Sequence, residues 1–95
     1  MRDYELVVIT KPEAVDREND ITEKVINQFI TDRGGVVSEL ERWGLRKLAY
    51  PIGRSTEGDY TVARFKLEPS AVRELDTNLR ISEDVIRHLV IRVGS

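Results

Sequence analysis

The segment Tyr4 to Thr10 constrains this chain more than any other, because it is apolar on both parities. Its β-branched residues favour an extended strand. Lys11-Pro12 ends that strand, since proline has no N–H to give to a ladder. With Leu6 and Val8 on one face and Val7 and Ile9 on the other, a strand of this kind needs cover on both sides and belongs at the centre of a sheet.

The following segment changes period. Ile21, Val25, Ile26, Phe29 and Ile30 recur at helical spacing, acids precede them, and Gly34-Gly35 follows, which predicts a helix with a glycine stop. Val36 to Leu40 reads as a second strand, and Leu45 to Ile52 as an extended arm with Leu48 and Tyr50 on one parity. Ser55-Thr56-Glu57-Gly58 supplies turn chemistry before the strand Tyr60 to Leu67, so the two arms form a long hairpin. Glu68-Pro69-Ser70 opens a second helix, with proline suited to its first turn and an apolar stripe of Val72, Leu75 and Leu79. Val85 to Val93 closes the chain as a strand.

The order β-α-β-β-α-β with right-handed crossovers gives an α+β, ferredoxin-like two-layer sandwich: a four-stranded antiparallel sheet with both helices on one face. Alternation then turns Leu6, Val8, His88 and Val90 toward the helices, and Glu5, Val7, Ile9, Arg87, Leu89 and Ile91 away. The open face, carrying Val7, Ile9, Val62, Leu89 and Ile91, is too apolar to be left to solvent and calls for a partner.

Composition serves mainly to exclude. The 95 residues suffice for a single domain spanning residues 1–95 and one core, and 40% hydrophobic with 34% charged residues is globular and not disordered. The chain has no cysteine and one histidine, His88, which removes disulfides, thiolate nucleophiles and a zinc site together. The longest apolar run, Leu6 to Ile9, is far short of the roughly 20 residues that span a bilayer, so a soluble intracellular protein is expected. No nucleophile elbow or glycine-rich phosphate loop is present. Glu83-Asp84 reads as solvated charge, and His88, among apolar neighbours, as a half-buried, hydrogen-bonded residue. No enzyme is expected.

Charge is unevenly distributed. The net charge is −2, awkward for a protein that neutralises phosphates. Yet Arg42, Arg46, Lys47 and Arg54 fall in a stretch without acids, whereas Glu13, Asp16, Glu18, Asp20 and Glu23 crowd the chain before it, a polarity able to orient a domain on a polyanion. Within the basic stretch, Trp43-Gly44-Leu45-Arg46-Lys47-Leu48-Ala49-Tyr50-Pro51-Ile52 has a glycine that breaks the strand, two cations, and an aromatic before proline. Arg46 and Lys47 there can guard an edge strand against aggregation or contact phosphate beside stacking aromatics; both can hold at once.

This middle element, together with Met1-Arg2-Asp3-Tyr4-Glu5 and Asp84-Val85-Ile86-Arg87-His88-Leu89-Val90-Ile91-Arg92, resembles the bacterial small-subunit ribosomal protein six family, over essentially the whole chain. The resemblance implies a ferredoxin-like constituent of the small ribosomal subunit that binds the central domain of 16S ribosomal RNA as a heterodimer with ribosomal protein eighteen. It implies no cofactor, no metal, no small-molecule substrate and no membrane, and a place on the ribosome in the cytoplasm or an organelle. Members of that family are not strongly basic and depend on a basic partner, which makes a net charge of −2 expected. Carried to matching positions, the resemblance makes Arg2, Arg46, Lys47, Arg80, Arg87 and Arg92 candidates for phosphate contacts, and Trp43, Tyr50, Tyr60 and Val62 candidates for the protein interface.

Three other functions belong to the same scaffold, which hosts many. A freestanding RNA-recognition motif needs stacking aromatics that Tyr60-Thr61-Val62-Ala63-Arg64-Phe65 lacks. A ligand-binding regulatory domain would need a self-complementary interface, and an acylphosphatase-like hydrolase an anion loop where this chain has Thr10-Lys11-Pro12-Glu13.

Overall fold

In the computed structural model the described residues are 1–11, 26–52 and 55–94. They form β1 (Arg2–Thr10), α1 (Gln28–Asp32), β2 (Val36–Ile52), β3 (Ser55–Leu67), α2 (Pro69–Ile81) and β4 (Val85–Arg92). The four strands make one sheet in the order β2-β3-β1-β4, antiparallel at every pairing. This is the ferredoxin-like arrangement, with β1 central as its two apolar faces require. Ile21 and Val25 of the expected first helix, the acidic run from Glu13 to Glu23, and Arg54 lie outside the described residues.

Alternation decides what each strand buries. Leu6 and Val8 of β1 and Ala63, Phe65 and Leu67 of β3 meet Ile26, Phe29 and Ile30 beside α1 and Ala71, Leu75 and Leu79 of α2 in one cluster. Tyr4 stacks on Phe65 across the β1–β3 pairing, ring centres 5.7 Å apart. On β4, Val90 packs against this cluster, while Leu89 and Ile91 stay exposed on the other side, as the parity predicts. In α2, Ala71 is buried where Val72 is only partly so, which turns the stripe by one residue from the expected one.

Each helix is bounded for a local reason. Gly34 at the end of α1 adopts φ +78°, its N–H bonds to the Thr31 carbonyl, and the Gly35 N–H reaches the Ile30 carbonyl. That paired pattern is the Schellman stop, in which a left-handed residue lets the chain satisfy the last carbonyls. Pro69 opens α2, where a missing N–H costs nothing.

The hairpin differs from expectation in two places. Gly44 does not break the strand: β2 runs unbroken from Val36 to Ile52, and an extra residue is inserted between Arg42 and Gly44. Gly44 absorbs this bulge at φ +82°, a conformation that costs a side-chain-bearing residue more. Ser55 to Gly58 is likewise part of β3 and not a turn. Gly58 is buried there, and a side chain at this position would collide with Ile9 Cγ2.

Candidate functional site

The helix-free face of the sheet is built from cross-strand rows. Val62 stands opposite Val7, and Val7 opposite Leu89. One row along, Glu39 pairs with Arg64, Arg64 with Glu5, and Glu5 with Ile91. An apolar row therefore lies beside a charged one. The Arg64 Nε donates to Glu5 at 3.0 Å and lies 4.0 Å from Glu39, so one cation serves two acids.

Trp43 adds a wall. It follows Glu39 and Glu41 on the same parity, and with Val62, Val7, Glu5 and Arg64 these residues enclose a shallow depression of about 310 Å³. The Trp43 Nε1–H donates to Glu41 at 3.2 Å. The Arg46 guanidinium stands 5.8 Å from the Trp43 ring centre, within reach of a cation–π attraction.

A second, smaller hollow of about 90 Å³ lies beside the first, where the hairpin arm meets the sheet. Tyr50, Tyr60 and Leu48 line it over Ile9, and Arg87 donates to the Tyr50 hydroxyl at 3.1 Å. Ile9 is buried at 8% exposure, so it is not part of the exposed apolar surface that the sequence places there.

The partner candidates thus gather on one face: Trp43 and Val62 at the first hollow, Tyr50 and Tyr60 at the second. The cation candidates do not form one patch. Arg2, opposite Leu67, and Arg92, opposite Tyr4, mark one end of the sheet. Arg46 and Lys47, opposite Gly58 and Glu57, lie near its other end, on an edge strand. Arg80 sits in the last turn of α2, held to Asp76 at 2.7 Å, and Arg87 belongs to the Tyr50 hollow. All six are exposed, while Arg42 is drawn to the buried Asp59 at 3.0 Å.

His88 behaves as its apolar neighbours foretell. It is half-buried and shares a 2.7 Å hydrogen bond with Asp76, tying β4 to α2. That bond, with the nearby Arg80, holds the Asp76 carboxyl below its usual range. Among the described residues no group of acids and histidine is placed to hold a metal, and no helix is long and apolar enough to cross a membrane.

The family model for ribosomal protein S6 matches residues 3–92. The chain belongs to that family. Small ribosomal subunit protein bS6 of Carboxydothermus hydrogenoformans is 45% identical over 95 residues, covering 97% of this chain and 96% of the relative. That of Desulforamulus reducens is 38% identical over 94 residues, with 99% of both chains covered. The crystal structure of 30S ribosomal protein S6 from Thermotoga maritima superposes with a TM-score of 0.86 at 34% identity, over 96% of this chain and 86% of that one. The C-terminal domain of the MgtC protein from Mycobacterium tuberculosis shares the fold alone, with a TM-score of 0.65 at 14% identity.

The S6 family is structural and non-enzymatic, a constituent of the small ribosomal subunit in translation. What sequence reasoning missed is the acidic rim. Glu39 and Glu41 alternate with Leu40 and Arg42, so their shared face was legible in the period of two, but their meeting with Glu5 depends on strand order.

Proposed function

We propose that this chain, acting as one domain over residues 1–95, binds the central domain of 16S ribosomal RNA as a heterodimer with small-subunit protein eighteen, on the ribosome. The observation that carries this reading is segregation: the open face is apolar with an acidic rim, whereas Arg2, Arg92, Arg46 and Lys47 stand at the two ends of the sheet. A face of that charge repels phosphate and suits a basic protein, and the cations suit backbone contacts that position RNA without reading bases. Trp43, Tyr50, Tyr60 and Val62 serve the protein contact; Arg2, Arg46, Lys47, Arg80 and Arg92 serve the RNA. Arg87, bonded to Tyr50, reaches phosphate from the border between the two surfaces.

The test is a gel-shift titration against a central-domain fragment of 16S RNA, with this protein alone and with protein eighteen, at two salt concentrations. Tight binding only with the partner is the expected result. Absence of binding in both conditions would remove the assignment.

A further inference from the structure

The partner reading leaves open how a protein seats on the sheet, and the first hollow suggests how. Its floor is Val7 and Val62, and its wall is Trp43, 49% exposed. Exposed indole and valine surface is costly to leave in water. The charges around it do not balance: Glu5, Glu39 and Glu41 face the single Arg64 among the lining residues, and even with the Arg46 guanidinium 5.8 Å from the Trp43 ring centre the rim is one positive charge short. Arg64 is committed to Glu5 at 3.0 Å and only loosely placed on Glu39 at 4.0 Å. Glu41 has the Trp43 N–H but no cation at ion-pair distance among the described residues. Apolar floor, aromatic wall and surplus negative rim together describe a side chain with a long aliphatic stem and a cationic head.

We propose that the open sheet face docks a basic segment of the protein partner, one lysine or arginine of which lays its stem over Val7 and Val62 and places its head between Glu39 and Glu41 beside the Trp43 ring. The inference rests on the heterodimer reading and specifies its contact. The same rim disfavours nucleic acid at this spot, since a phosphate would meet Glu41 and a Glu39 that has only a share of Arg64. Glu39 and Glu41 are two residues apart on one strand, about 7 Å, a spacing that one cationic group spans. Displacing Arg64 from Glu39 is no obstacle, because a pair this exposed is worth little in water.

Trp43 is the single tryptophan, so the protein labelled with 5-fluorotryptophan gives one fluorine resonance that reports on this wall. The labelled chain is titrated with purified small-subunit protein eighteen, as wild type and as the double variant E39Q/E41Q, at low and moderate salt. Expected are a shifted resonance on pairing, an affinity about tenfold or more weaker in the variant, and a smaller salt dependence. Pairing that leaves the resonance in place, or that the variant preserves within about twofold, overturns the cation slot and leaves the heterodimer standing. No pairing at all overturns both. A resonance that shifts with protein concentration before any partner is added assigns the face to a second copy of this chain and also overturns the proposal.

Discussion

The two faces of β1 and β3 share a backbone and diverge in everything else. Toward the helices, Leu6, Val8, Ala63 and Phe65 are at most 1% exposed and entirely apolar. Toward the other side, the alternating residues Glu5, Val7, Val62 and Arg64 are half-buried or exposed and mix charge with valine. One face is closed by its own chain and holds the fold together. The other is only partly self-satisfied, through an Arg64 shared between two acids, and is left to be completed from outside. A period of two thus lets a single pair of strands carry stability and recognition with little interference between them.

The largest test of that separation is at Phe65, fully buried and stacked on Tyr4. Phe65→Ala should cost about 3–5 kcal/mol of stability by leaving a cavity, measured by urea unfolding. A loss below about 1 kcal/mol would mean that the core does not depend on this face.

Next comes its neighbour on the opposite face. Val62→Asp should leave the unfolding midpoint nearly unchanged but weaken pairing with protein eighteen by about a hundredfold, because docking would bury a charge without a partner. Unaltered pairing would move the interface elsewhere.

The cations at the hairpin sharpen the contrast within β2. Replacing Arg46 and Lys47 together by alanine should lower the salt slope of RNA binding by up to about two units while pairing with the partner protein persists. An unaltered slope would leave them only as guards of the edge strand on which they stand.

The smallest effect concerns the tie between β4 and α2. The His88 hydrogen bond and Arg80 hold the Asp76 carboxyl below its ordinary value. A lowered folded-state value stabilises the fold above the ordinary carboxylate range, and this contribution disappears as pH falls through the folded value, below about pH 4. Asp76→Asn should therefore cost about 0.5–1 kcal/mol near neutrality, the Asp76 carboxyl being about a third exposed and screened. The difference from wild type should close on acidification. A difference that persists at about pH 2 would trace the loss to packing and not to charge.

Most of the architecture was legible because its signals are local. The period of two in β1 and β4, the helical spacing before Gly34-Gly35, and Pro69 at the start of α2 each act within a few residues. The hairpin was read less well, for a tertiary reason: whether Gly44 and Gly58 interrupt a strand or lie within it depends on what crosses them. Gly44 is held in β2 by its pairing with Tyr60, and Gly58 is buried against Ile9 of β1. Neither fact is visible from flanking residues.

The candidate site divides in the same way. The sequence by itself determined that an unusually apolar, helix-free face would exist, since alternation on β1, β3 and β4 leaves Val7, Val62, Leu89 and Ile91 on one side whatever the strands' order. It also determined that the residues of the basic hairpin would be exposed, because cations seldom enter a core. Only the tertiary structure decided that Glu5, Glu39 and Glu41 ring one hollow, that Arg42 is drawn to Asp59, and that Arg87 joins Tyr50 and not the other cations. Those groupings join residues tens of positions apart. They follow from the strand order β2-β3-β1-β4, which no local preference encodes.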